Sequence, residues 1–199
     1  MIGAFLEQAR DYSVAELIAV IFAIAYLLLA VREHVYCWFA AMFSTAIYLV
    51  IFFEVRLYME AVLQVFYFAM AIYGYYQWTH GNNEIRSLAI STWTPSQHAM
   101  AIGVIVTAAL LSAYVLSAFT DARLPLLDSL TTWGAVITTF MVAKKILENW
   151  IYWLVIDSLS IYLYLDRALY FTALLFAIYI VIIFFGWAAW LKSYRQQSA

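Results

Sequence analysis

The chain has 199 residues, of which 67% are hydrophobic and only 11% charged, against about 45–50% apolar and 25% charged in ordinary soluble domains. That composition defines an integral membrane protein. A net charge of −2 without a basic run excludes a polyanionic partner, so no nucleic acid is expected, and the lone Cys37 excludes an internal disulfide or a cysteine metal cluster.

The apolar runs are about 18–23 residues long, the length of spanning helices and not the roughly ten-residue alternation of a barrel. The fold class is therefore all-α, with seven transmembrane helices. Cut at charged or turn-like breaks, they fall near 14–31, 36–53, 58–78, 98–119, 127–145, 149–165 and 169–191. Residues 1–13 contain Glu7 and Asp11 and lack a basic region before a short apolar core, so no cleaved signal peptide is expected. Arg32-Glu33-His34, Glu54-Val55-Arg56, Lys144-Lys145 and Asp166-Arg167 read as short connectors. The long polar stretch His80–Gln97 separates three spans from four.

An internal repeat organises these spans. Leu57-Tyr58, Gly74 and Trp78 recur 112 residues later as Leu169-Tyr170, Gly186 and Trp190. Upstream, Glu33 and Trp38 match Glu148 and Trp153 at an offset of 115, which places a three-residue length change inside the second helix of the unit. The expected architecture is a 3+1+3 parallel repeat, with a three-helix bundle in 1–79, a connector with an inverting fourth helix in 80–126, and a second bundle in 127–199. With the N-terminus outside, inner segments carry six Lys and Arg residues against four outside, so the C-terminus is expected in the cytoplasm.

Polar stripes mark the inward faces. On span 6, Trp150, Trp153, Asp157, Ser160 and Tyr164 share one helical face, while Ile151, Leu154, Val155, Ile161 and Leu165 cover much of the rest. Span 3 aligns Glu60, Gln64, Tyr67, Ala71, Gly74 and Trp78; span 2 adds Ser44 and Tyr48 one turn apart. Such a lining suits a flat, hydroxylated or cationic heterocycle: each Trp or Tyr face attracts a cation by about 0.5–2 kcal/mol, and amides and hydroxyls take sugar oxygens. Asp157 at midspan needs a partner, water or a proton, and a cationic substrate is one such partner.

Other polar and aromatic residues have plainer readings. Trp38, Trp78, Trp93, Trp187 and Trp190 lie near span ends, where interfacial belts are expected. Most of the remaining acids, Glu148 among them, read as solvated or helix-terminal groups, and Asn149 as a cap. His34, His80 and His98 lie in or beside connectors without metalloprotease spacing, and no Walker loop, dinucleotide fingerprint or G-x-S-x-G occurs. No enzyme activity, cofactor or metal is expected.

The segments E-N-W-I-Y-W-L-V-I-D in span 6, L-Y-F-T-A-L-L-F opening span 7 and Q-V-F-Y-F-A-M-A-I-Y-G-Y-Y-Q-W in span 3 resemble the PnuC family of vitamin transporters over nearly the whole chain. The resemblance implies a SWEET-like seven-helix core in the bacterial inner membrane, assembled as a homotrimer. It also implies facilitated uptake of nicotinamide riboside, trapped by cytoplasmic phosphorylation. Thiamine (the PnuT branch) is the alternative substrate, riboflavin (PnuX) the third, and a sugar of the SWEET type less favoured. Some members carry an additional N-terminal helix, for which residues 1–13 leave no room. By motif position the expected substrate-binding residues are Trp150, Trp153 and Asp157 with Asn149 on span 6, Gln64, Tyr67 and Tyr73 on span 3, and Ser44 and Tyr48 on span 2.

Overall fold

The computed structural model describes residues 14–54, 58–80, 88–120, 124–166 and 170–197. The described residues form seven helices: α1 Val14–Val31, α2 Cys37–Glu54, α3 Tyr58–His80, α4 Pro95–Phe119, α5 Pro125–Ala143, α6 Asn149–Asp166 and α7 Tyr170–Gln197. The side chain of Glu60, the repeat marker Leu57-Tyr58 and its copy Leu169-Tyr170 lie outside what is described, as residues or as side chains.

Local chemistry sets the ends. Thr94 caps α4 with a reciprocal pair, its hydroxyl accepting from the Gln97 N–H and the Gln97 side chain accepting from the Thr94 N–H, and Pro95 follows at the first helical position. This cap starts α4 three residues before the apolar run. Helix α7 runs past the expected end at residue 191 as far as Gln197, whose side-chain oxygen accepts the Ile90 N–H at 3.1 Å. Among the described residues, α4, α5 and Ala173–Gln197 of α7 are long and apolar enough on their own to cross a membrane. Helix α6 is less apolar because its inward face is polar.

Helix α2 packs between α1 and α3, and α6 between α5 and α7. Contacts of α3 with α5 and of α7 with α1 close these six helices into a ring, and α4 lies outside it against α5. The ring is two-fold symmetric in pattern, since adding one three-helix unit turns α3–α5 into α7–α1. The α1–α2 and α5–α6 turns meet at the same end, so the two halves run parallel.

That end holds the core. Ala30, Cys37, Trp38, Ala71, Trp78, Val142, Ala143, Leu147, Trp150, Ile183 and Trp190 form one buried cluster there. The short connector before α4 docks on it: Ser91 donates its N–H to the Lys145 carbonyl and accepts from the Leu147 N–H, at 3.0 and 2.8 Å.

Candidate functional site

The repeat is kept in register at a constant offset of 112, which corrects the expected three-residue length change. Trp38 lies against Gly74 and Trp150 against Gly186, so Trp38 corresponds to Trp150 and not to Trp153. The hydrogen bonds repeat with the same offset. Glu33 N–H donates to the Ala30 carbonyl and His34 N–H to Leu29; Lys145 N–H donates to Val142 and Ile146 N–H to Met141. Each helix, α1 and α5, thus ends in a Schellman motif. Glu33 and Lys145 occupy its left-handed position with φ of 53° and 50°, where glycine is usual and other residues cost about 1–2 kcal/mol.

Four tryptophans fill the space between these ends. Trp38 meets Trp78 edge-on at 5.3 Å, Trp150 meets Trp190 edge-on at 5.5 Å, and Trp78 lies 6.1 Å from Trp190 across the two halves. The Trp78 indole N–H donates to the Val142 carbonyl at 3.2 Å, and Trp190 donates to Ala30 at 2.9 Å, so each half caps the other. Trp38, Trp78 and Trp190 are at most 4% exposed. They are core residues, a correction to their reading as interfacial anchors; Trp93 and Trp187 are half-buried. Lys145, in one of the expected short connectors, is 3% exposed, with its ammonium 2.9 Å from Glu33 and 4.7 Å above the Trp78 ring.

The stripe on α6 faces inward: Trp150, Asp157 and Ser160 are buried, Trp153 and Tyr164 half-buried, and Ile151, Val155 and Leu165 about half exposed on the outside. Asn149 is completely buried and donates its amide to the Ile146 carbonyl at 2.7 Å. Its Oδ1, together with the Nε1 groups of Trp150 and Trp38, has no hydrogen-bond partner among the described residues. Such atoms cost about 1–3 kcal/mol each when left unsatisfied, and a polar ligand can complete them. Asp157, two turns along from Trp150, is 4% exposed and has no partner among the described residues.

The remaining expected residues are spread over two walls. On α3, Gln64 and Tyr67 are half-buried on the same stripe as the buried Ala71, Gly74 and Trp78. Tyr73 sits elsewhere, stacked 6.2 Å from Phe140 with the Lys144 ammonium 5.3 Å from its ring, which places it in the α3–α5 seam. On α2, Ser44 donates to the Ala19 carbonyl at 2.9 Å and so ties α2 to α1, while Tyr48 is half-buried one turn on. None of the nine lines the cavity of about 690 Å³ between α3, α4 and α5, which is walled by Leu63, Phe66, Leu111, Asp128, Trp133 and their neighbours.

Sequence reasoning missed a second cluster at the start of α6. Glu148 accepts the Trp93 N–H at 3.3 Å and lies 3.9 Å from His98, whose Nδ1 is 2.9 Å from the Tyr152 hydroxyl. Only the proximity of acid, histidine and tyrosine in space reveals it.

Membrane-crossing helices in two parallel three-helix halves around a shared axis, with an inward polar stripe, define a membrane transporter. The profile of the family described as Nicotinamide mononucleotide transporter matches residues 13–192, and the chain belongs to this family. Its members and the relatives below are transporters, not enzymes. The nicotinamide riboside transporter PnuC of Escherichia coli is 23% identical over 214 residues, covering 95% of this chain and 90% of that protein. The riboflavin/roseoflavin transporter RibM of Streptomyces davaonensis is 26% identical over 137 residues, 65% of this chain and 62% of that protein. In fold, the crystal structure of the Vitamin B3 transporter PnuC superposes with a TM-score of 0.75 over 98% of this chain and 88% of that one, at 18% identity.

Proposed function

We propose that this chain mediates facilitated uptake of a vitamin precursor bearing a flat cationic ring, with nicotinamide riboside the leading substrate. One observation carries the reading: Asp157 is buried within a membrane-spanning helix with no partner among the described residues, on the face that also presents Trp150 and Trp153. A charge at that depth costs at least about 2.5–3.5 kcal/mol on insertion scales. A cationic ring offsets the cost, and each tryptophan face adds about 0.5–2 kcal/mol. Asn149 Oδ1 and Trp150 Nε1 supply an acceptor and a donor for carboxamide or ribose groups. Gln64, Tyr67 and Tyr48 would complete the site from α3 and α2, with Tyr73 and Ser44 holding the surrounding helices.

Similarity to a nicotinamide riboside transporter over 95% of the chain supports this choice. Thiamine, also a flat cation, makes the same demand on Asp157; riboflavin, being neutral, does not. In the same reading the functional halves are 1–79 and 127–199, joined by 80–126, and they rock about the shared site without a coupling ion. Phosphorylation in the cytoplasm traps the product. The inner membrane is the location, with the C-terminus and the tryptophan end on the cytoplasmic side. A homotrimer would cover part of α4, which exposes Leu110, Leu111 and Tyr114 and, among the described helices, packs along its length against α5, meeting α6 through His98 at its start.

Titrating the purified protein with nicotinamide riboside, thiamine and riboflavin, followed by tryptophan fluorescence, tests the substrate. Saturable quenching by nicotinamide riboside, weakened at least about tenfold in Asp157→Asn, is the expected result; tenfold corresponds to about 1.4 kcal/mol. A response to thiamine alone would move the substrate within the same chemistry. A response confined to riboflavin and indifferent to Asp157→Asn would overturn the cationic-ring reading.

A further inference from the structure

Two contacts at the tryptophan end join residues that are each other's repeat equivalents. Trp78 faces Trp190 at 6.1 Å, and Glu33 meets Lys145 at 2.9 Å; both pairs are 112 apart in sequence. Under a two-fold, a position touches its own equivalent only on or beside the axis. These four side chains therefore occupy the axis that the two halves share. A solute crossing between the halves along that axis must displace them.

We propose that Glu33–Lys145 and Trp78–Trp190 form a two-layer gate that closes this end of the ring, with the ion pair as its latch. The proposal rests on the transport reading above and assigns it a moving part. Duplicated halves set like against like at an axial contact, and two glutamates or two lysines there would repel. A glutamate in one half and a lysine in the other turn that repulsion into attraction. Both residues stand at left-handed backbone positions that glycine would fill more easily, so capping alone does not account for their side chains.

The layers are linked. The Lys145 ammonium that pairs with Glu33 also lies over the Trp78 ring, and the indole bonds of Trp78 and Trp190 run to carbonyls of the opposite half. Separating the halves here breaks the ion pair, the ring contact and both indole bonds together, as a gate with two discrete states requires. A fixed pivot at the same place would keep all of them throughout transport, and that difference is measurable.

The test uses the full chain in proteoliposomes, with Glu33→Cys and Lys145→Cys introduced on a Cys37→Ala background and joined by a short, cleavable bifunctional thiol reagent. Crosslinking is expected to lower nicotinamide riboside uptake more than tenfold, with recovery on cleavage. Undiminished uptake by fully crosslinked protein would make this end a pivot and overturn the gate. A second arm needs no substrate: hydrogen exchange of residues 29–38 and 141–150 is compared in the parent, Glu33→Lys, and the swapped Glu33→Lys/Lys145→Glu. Faster exchange in both segments of the single variant, returning to the parent rate in the swap, is expected; equal rates in all three would overturn the latch. Should the unsubstituted protein take up no nicotinamide riboside, the substrate reading fails, and the exchange arm alone decides the gate.

Discussion

Gly74 and Gly186 decide how closely two tryptophans can lie against their neighbouring helices. A Cβ at either position would overlap the indole of Trp38 or Trp150, whereas one at Gly103 on α4 would meet nothing within 4 Å. Gly74→Ala and Gly186→Ala are thus expected to destabilise the protein by about 1–3 kcal/mol each through overpacking, and Gly103→Ala to be neutral or slightly stabilising. Thermal unfolding in detergent separates the three. The sequence showed the glycines and the terminal tryptophans as a repeat of 112, but it matched Trp38 to Trp153, where packing matches it to Trp150. Two tryptophans three residues apart offer equally good sequence matches, and only packing against glycine tells them apart. Burial of Trp38, Trp78 and Trp190 was equally hidden, because a helix end inside a ring and one at a lipid interface have the same local composition.

At the scale of elements, the seven helices were legible to within a few residues, apart from the C-terminal extension of α7. Membrane-length apolar runs interrupted by charge leave little freedom in where the helices fall. The inward faces of α3 and α6 were legible too, from periodicity alone. The connector before α4 was not, since 88–94 has neither apolar period nor turn motif, and its partners Lys145, Leu147 and Glu148 are more than 50 residues away. Its anchoring makes a test. Glu148→Ala removes the acceptor for the Trp93 N–H, a charged hydrogen bond worth about 1.5–3 kcal/mol. Hydrogen exchange at 91–94 is expected to accelerate by about tenfold or more, with α2 and α3 unaffected. Unchanged protection would show that the Ser91 backbone bonds hold the connector without Glu148.

For the whole molecule, parallel halves followed from counting helices: a three-helix unit reverses the chain, and one further crossing restores it. What joins the halves did not follow, because the exchanged indole bonds and the Glu33–Lys145 pair link residues 64 to 160 positions apart. Trp78→Phe and Trp190→Phe each remove one exchanged bond while keeping a ring. Each is expected to cost about 1 kcal/mol, and the double variant to depart from additivity by at least about 0.5 kcal/mol because the two rings touch. Unfolding of the two single variants and the double closes that cycle.

Helix α4 stands apart from this symmetry. It has no counterpart in the repeat, and its buried residues are only Ala101, Ala109 and Ala113. Its role in the fold is to carry the chain back across the bilayer so that the second unit is threaded in the same sense as the first. Beyond its cap, His98 at the α6 contact and Ser112, which accepts the Trp133 indole N–H, it needs little but a small-residue seam and an oily exterior, so the outward face of α4 is where sequence can drift most freely. Substitutions on that outward face would build new outer surfaces without disturbing the path through the centre.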